Sequence, residues 1–398
     1  MRVLQINDMG YEAGGAEKSI VLIRDGLRRQ GHESIVMATD KDSSGQDIFA
    51  DELIPAIEGV GIVRLLRHFW YQAAYRQVRS VIRDFRPDII HLHTVSEFSP
   101  SILWGSGRTP TVMTVHGPEE FTLGLLPWLL PPSDYKTHSY QPADMRLVGH
   151  LRYAYYHYLQ RSVYQLVLQR LKLVIAPSQY MAQAITPDFP ATQIIQIYNG
   201  INLPRMIPLP QTSCPTILYV GRLEVVKGVD VLIRALAELR HDLPGVKLKI
   251  VGDGSQRQSL KTLAQRLDLS KAIEFTGWVK SDSIIKQYAT AQMLVIPSVW
   301  PENLPTVAIE ALAIGRPIVG SNTGGIAELI DDGKNGFVVE AGDEKALAQA
   351  IYGILSDPDL LQSMAKASLA KSRSFDDKTF VDKLLNIYHG VLDENSAG

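Results

Sequence analysis

Two cations on a glycine-flanked turn open the chemistry of this chain. After the apolar run TILYV come Gly221 and Arg222, and five residues on Lys227 followed by Gly228, in GRLEVVKG. A pair of positive charges on a short loop that opens a helix suits a diphosphate. A later segment, WPENLPTVAIEALAIG, places Glu302 ahead of a helix expected to begin near Pro305, with Glu310 one turn in. Thr306 and Glu310, four apart, share a helix face. The backbone N–H groups of Asn303, Leu304 and Thr306 offer donors and a positive dipole end to a phosphate oxygen. On that geometry Glu310 accepts from vicinal ribose hydroxyls, while Glu302 faces the group esterified to the phosphate. The glycine turns Val251-Gly252-Asp253-Gly254 and Thr276-Gly277-Trp278-Val279 are expected to let a planar base approach the backbone closely. The set fits a nucleoside diphosphate sugar.

Residues like these work at the carboxyl ends of parallel strands, and the chain has the strands to carry them. Apolar runs alternate with amphipathic stretches of helical length almost from end to end, the pattern of an α/β fold with crossover helices. In the first half the spacing predicts strands over 3–6, 34–38, 89–91, 111–115, 173–176 and 194–197. In the second half it restarts at 216–220, 247–251, 273–276, 293–296 and 317–320. Residues 202–215 carry four prolines and no helical period, as an interdomain linker should. The expectation is two Rossmann-like domains, 1–205 and 211–377, followed by a terminal helix over 378–398 that folds back across the linker.

Length supports two cores, because 398 residues exceed the roughly 250–300 at which one core stops growing. Forty basic against forty-two acidic residues supply no electrostatic footprint for nucleic acid. The single cysteine, Cys214, excludes an internal disulfide and a multi-cysteine metal site, which fits a reducing, cytoplasmic setting. No secretory signal is read in MRVLQINDMG. The most apolar stretch, 121–132, is broken by prolines and shorter than the roughly 20 residues of a membrane span.

Taken in order, GR…KG, VGDG, FTGWV, PENLP with a second glutamate eight residues after the first, and GG-x-x-E resemble the retaining glycosyltransferase family four, whose fold is called GT-B. Gly14-Gly15-Ala16-Glu17 and Thr114-Val115-His116-Gly117 resemble its N-terminal motifs, so the likeness spans nearly the whole chain. It implies two Rossmann-like domains facing each other across a cleft, with an acceptor-binding N-terminal half and a C-terminal half that binds the nucleotide sugar. Carried over, Arg222 and Lys227 bind the diphosphate, Glu310 the ribose, Glu302 a donor-sugar hydroxyl and backbone near Val279 the base. Gly15 approaches the diphosphate from the opposite domain, and His116 lines the donor sugar near the reacting carbon. Asn303-Leu304 departs from the family's commoner glycine-containing sequence, which bears on sugar preference. The implied reaction retains anomeric configuration and uses no metal. Uridine is the commonest donor base in the family, guanosine the next.

Simpler readings stand beside these. Asp40-Lys41-Asp42 and Asp357-Pro358-Asp359 match a metal-binding Asp-x-Asp only formally, lie away from the phosphate motifs and read as surface carboxylates. Trp278 reads as core or cleft wall, and His91 and His93 as structural as readily as functional. The arginines of 60–86, interleaved with Trp70, Tyr71 and Tyr75, and the apolar 121–132 suit an anionic bilayer and a lipid-linked acceptor, or equally a helix packed on its own sheet. An epimerase, a phosphorylase or a non-catalytic sugar-nucleotide-binding subunit fits the same architecture. A nicotinamide dehydrogenase does not, because the first strand leads to no G-x-G-x-x-G.

Overall fold

The protein is described from a computed structural model, covering residues 1–12, 14–59, 61–117, 158, 161–202 and 206–397. Described residues up to Gly200, with those from Asp377 onward, form one compact unit; Ile201–Asp376 form the core of the other.

The first unit is built on strands β1 (Arg2–Met9), β2 (Glu33–Thr39), β3 (Glu52–Ile54), β4 (Ile89–Leu92), β5 (Thr111–Thr114), β6 (Leu173–Ala176) and β7 (Gln193–Gln196). All pair in parallel, in the order β3-β2-β1-β4-β5-β6-β7. Helices α1 (Gly15–Arg29), α2 (Gly61–Phe69), α3 (Gln72–Phe85), α4 (Ser101–Gly105), α5 (Arg161–Leu168) and α6 (Gln179–Ile185) connect them. Successive strand residues point to opposite faces. Leu4 and Ile6 therefore join the core beside Val78, Ile102 and Tyr164, while Val3 joins Ile23, Leu27 and Tyr388 on the other side.

The second unit repeats the plan with β8 (Thr216–Val220), β9 (Lys247–Val251), β10 (Ile273–Gly277), β11 (Met293–Ile296), β12 (Ile318–Ser321) and β13 (Gly336–Val339), in the order β10-β9-β8-β11-β12-β13. Its helices are α7 (Val229–Asp242), α8 (Arg257–Arg266), α9 (Ser281–Ala289), α10 (Thr306–Ala313), α11 (Glu344–Leu355) and α12 (Pro358–Ser372). The final helix, α13 (Asp377–Ala397), belongs to the first unit. Its buried Phe380, Val381, Leu384, Leu385, Tyr388 and Val391 recur at helical spacing and pack beside α1, where Gly26 admits Val381.

Two short edge strands, β3 and β13, lie outside the strands that the apolar pattern predicts. Only Ile54 of β3 is buried and only Gly336 of β13, so neither carries the apolar run that marks a central strand. Arg316 is the largest fully buried side chain among the described residues. Its guanidinium donates to the carbonyls of Ile207 (2.8 Å), Pro208 (3.1 Å) and Tyr288 (3.1 Å), fixing the proline-rich segment against the second sheet. Burial lowers it to about 10, still a cation at neutral pH.

Candidate active site

In an open parallel sheet the ligand crevice lies outside the carboxyl ends of the strands, where strand order reverses. Here the reversals fall between β1 and β4 and between β8 and β11. The residues singled out from sequence follow these and the neighbouring strands.

In the second unit, Gly221 and Arg222 follow β8, and a short 3-10 turn, Val225–Lys227, leads to Gly228 and α7. Arg222 is exposed and, among the described residues, its guanidinium makes neither a hydrogen bond nor an ion pair. Its carbonyl is held by the Tyr219 hydroxyl, which donates at 2.8 Å. Lys227 is engaged: Nζ lies 2.7 Å from Glu302 Oε1, and both side chains are mostly buried. The Ser298 hydroxyl donates to the same carboxylate oxygen. The β8 and β11 loops are thus joined across the switch point by one ion pair.

Glu302 is also fixed through its backbone. Its carbonyl accepts from Gly325 N at 2.7 Å. Gly324, at φ +59°, lies so close that a Cβ there would stand 2.1 Å from the Glu302 carbonyl oxygen. The GG-x-x-E segment therefore presses on the loop that aims Glu302.

The helix after this loop starts at Thr306, with Pro305 at its cap, so Asn303 and Leu304 precede it. Leu304 is buried, whereas Asn303 and Thr306 are half-buried. Glu310 is half-buried on the Thr306 face, and the Tyr288 hydroxyl donates to its Oε2 at 2.9 Å. Burial, reinforced by Glu310, pushes the Tyr288 hydroxyl well up, so it stays protonated and donates. Val279 is half-buried just beyond β10, and its neighbour Trp278 is 72% exposed, which corrects the reading of that ring as core.

The glycines of VGDG have a nearer purpose than admitting a base. A Cβ on Gly252 would stand 1.9 Å from the Gly221 carbonyl oxygen, and one on Gly254 would stand 2.5 Å from that of Leu223. They let the β9 loop close on the β8 loop that carries Arg222. Asp357 caps α12, its carboxylate accepting from the N–H of Asp359 and Leu360, and Asp40 and Asp42 are exposed.

In the first unit, Gly15 opens α1 beyond β1, beside the exposed cap Gly14. His116 is half-buried beyond β5, with Nε2 3.1 Å from His93 Nδ1. His93 and His91 are fully buried after and on β4, with ring centroids 4.1 Å apart and the planes tilted by 35°. Burial lowers all three, His91 to about 3 and His116 to about 4, so each ring is neutral at pH 7. Asp8, which no motif marks, is the last residue but one of β1; its carboxylate accepts from Ser96 N and Oγ and Glu97 N, and burial pushes it up to about 6. Neither Asp8 nor the partners Tyr219, Tyr288 and Ser298 had a motif to mark it. The basic residues Arg76, Arg79, Arg83 and Arg86 lie exposed, opposite the buried Ala74, Val78 and Val81 of α3. The 121–132 segment lies outside the described residues.

Two Rossmann-like units, each an open parallel sheet with its strand order reversed once, define the GT-B class of fold. Comparison with known proteins agrees. The model for glycosyl transferases group 1 matches residues 207–371, and that for Glycosyltransferase Family 4 matches residues 13–205. The chain belongs to this glycosyltransferase family. It is 29% identical over 313 residues to a glycogen synthase of Mycobacterium tuberculosis, covering 77% of this chain and 69% of that protein. It is 27% identical over 401 residues to an uncharacterized glycosyltransferase of Methanocaldococcus jannaschii, covering 92% of each. Among solved structures, sucrose-phosphate synthase from Thermosynechococcus elongatus superposes with a TM-score of 0.75 at 20% identity, over 99% of this chain and 100% of that one. HepE of Anabaena, solved with UDP, gives 0.70 at 20% identity, over 98% and 100%.

Proposed function

We propose that the chain is a retaining glycosyltransferase that moves a sugar from a nucleoside diphosphate donor, UDP before GDP, to an acceptor hydroxyl without a metal ion. The observation that carries this is the Lys227–Glu302 pair at 2.7 Å beside the exposed Arg222. Breaking the bond between anomeric carbon and phosphate puts charge on the departing diphosphate and leaves an oxocarbenium-like centre. Arg222 and Lys227 stabilise the first. Glu302, aimed from the same ion pair, takes a hydroxyl of the donor sugar, and Glu310, oriented by Tyr288, takes the ribose. Backbone near Val279 receives the base, and the N–H groups at Asn303, Leu304 and Thr306 receive phosphate oxygen. Gly15 and His116 serve the donor from the first unit, at the diphosphate and the sugar. The preference for uridine draws support from HepE, solved with UDP and with UDP-glucose.

A carboxylate engaged by Lys227 and Ser298 is a poor nucleophile, which favours same-face displacement with the leaving phosphate taking the acceptor proton. Isolation of a glycosyl adduct on Glu302 would overturn that route. The exposed arginines of α3 beside Trp70, 45% exposed, suit contact with an anionic membrane on the cytoplasmic side, where a lipid-linked acceptor would be met. Among the described residues no helix is long and apolar enough to cross a membrane.

The test is a thermal shift in EDTA with UDP, GDP and ADP, on the full chain and on an Arg222→Ala/Lys227→Ala double variant. A shift with UDP that the variant loses supports metal-free diphosphate binding. No shift with any nucleotide overturns the site. Turnover only without a separate acceptor, or only with inorganic phosphate, moves the assignment to an epimerase or a phosphorylase.

A further inference from the structure

The histidines at the carboxyl ends of β4 and β5 form one hydrogen-bonded line inside the first unit, of which the reaction above uses only the last member. His93 stands between Gln5 and His116, with Nε2 3.1 Å from Gln5 Oε1 and Nδ1 3.1 Å from His116 Nε2. Gln5 is itself anchored, donating from Nε2 to Ser34 Oγ at 3.1 Å. Gln5, Ser34 and His93 are buried, so bulk solvent does not compete for these groups. Behind them the tilted His91 ring lies against His93, centroids 4.1 Å apart, and is pinned by the Tyr388 hydroxyl at 2.6 Å and Thr114 Oγ1 at 2.7 Å.

A neutral imidazole has one donor and one acceptor nitrogen. With the Gln5 amide lying Nε2 toward Ser34 and Oε1 toward His93, the facing Oε1 can only accept, so His93 Nε2 carries the proton and His93 Nδ1 accepts. His116 Nε2 must then be the donor between the two rings, which are nearly parallel at 24° with centroids 5.4 Å apart. The basic nitrogen of His116 is therefore Nδ1. Burial keeps every ring in this line neutral at pH 7, so the proton order is not scrambled by an extra charge.

We propose that Gln5 and His93 are positioning residues for glycosyl transfer, which act by holding His116 as the Nε2–H tautomer. This rests on the glycosyltransferase reading for its purpose, though not for its first test. Beside a carbon that becomes positive, a ring nitrogen with a lone pair stabilises, whereas an N–H in the same place repels. A tautomer fixed from behind by a buried amide supplies the first arrangement in every turnover, with no reorganisation as charge develops.

The experiment is long-range 1H–15N correlation on the 15N-labelled full chain near pH 7.5, with His116 assigned by a His116→Gln variant. The expected result is His93 and His116 both neutral with the proton on Nε2. A proton on His116 Nδ1, as a reversed Gln5 amide would give, overturns the proposal. His93→Leu and Gln5→Leu should mix the His116 tautomers and lower kcat by roughly 10- to 100-fold, as small misplacements of catalytic groups do, with donor KM within about twofold. His93→Asn, whose amide oxygen can accept in place of Nδ1, should recover most of kcat. A folded His93→Leu chain with wild-type kcat and an unchanged His116 tautomer overturns the proposal, and if neither leucine variant folds the wild-type spectrum still decides it. The expected tautomer with no turnover of any nucleotide sugar defeats the enzymatic reading, and the positioning role with it, while leaving the hydrogen-bond line standing.

Discussion

Lys227 Nζ and Glu302 Oε1 are 2.7 Å apart although 75 residues separate them in the chain. The pair closes the reversal point between β8 and β11, so a diphosphate that approaches Lys227 meets an ammonium already oriented by a carboxylate. Removing the lysine takes away a charge-assisted hydrogen bond of about 1.5–3 kcal/mol and leaves Glu302 facing the ligand as an uncompensated anion. Lys227→Ala is expected to weaken UDP binding at least about tenfold in titration calorimetry with EDTA present. An unchanged Kd would remove Lys227 from the diphosphate site.

Gly324 is where the aim of Glu302 is set by backbone alone. Any side chain there must sit at φ +59° and displace the Glu302 carbonyl from 2.1 Å. Gly324→Ala should therefore cost roughly 1–3 kcal/mol of stability in urea unfolding and lower kcat. Gly333, also at positive φ but with nothing within 4 Å of its Cβ, is the control. Alanine there should show only the backbone cost, with kcat unchanged; equal losses of kcat at both positions would refute the packing argument.

Tyr288 and Glu310 make a second, separable device. The tyrosine is fully buried, its carbonyl is tied by Arg316 and its hydroxyl donates to Glu310 at 2.9 Å. Tyr288→Phe removes this hydrogen bond from the carboxylate while leaving the leaving-group contacts intact. Donor KM should rise several-fold, by the loss of one hydrogen bond of about 1 kcal/mol, with kcat within about twofold. Initial rates at varied donor concentration distinguish this from a fall in kcat alone, which would place Glu310 at the reacting centre.

Much of the architecture was legible because a central parallel strand is buried on both faces and reads as an unbroken apolar run. Leu173–Ala176 and Met293–Ile296, buried throughout, are found where the sequence places them, as are Thr216–Val220 and Lys247–Val251, whose buried positions are apolar. Edge strands such as Glu52–Ile54 lack that signature, being buried at one residue. At the site, Arg222, Lys227, Glu302 and Glu310 could be singled out because they follow strands at motif spacing. Their partners could not. Ser298 reaches Glu302 within one loop, but Tyr288 finds Glu310, and Gln5 finds His93, only through tertiary packing. Arg316 bonds carbonyl groups, which carry no side-chain identity for a sequence to display.

The three packed histidine rings give the first unit a defined acid sensitivity. In the unfolded chain His91, His93 and His116 titrate near 6.5, whereas in the fold His91 is lowered to about 3, His116 to about 4 and His93 well below its ordinary value. Below about pH 6.5 the unfolded chain thus binds protons that the folded unit refuses, and stability falls as pH falls. Asp8 acts in the opposite sense. Pushed up to about 6 from 3.8, it holds a proton in the fold that the unfolded chain has released, so its contribution is present at low pH and lost as pH rises through about 6. Glu17, raised, and His32, lowered, oppose each other. Three protons against one leave a net of about two near pH 5, a slope of roughly 3 kcal/mol per pH unit. Calorimetry of the full chain from pH 7.5 to 4.5 should show the transition of the first unit falling steeply below pH 6.5. His91→Gln, which deletes one of the three titrating groups, should make that fall shallower by roughly a third to a half. A transition temperature that stays flat between pH 6.5 and 5 would mean that these rings accept protons in the fold, and that the neutral line does not hold.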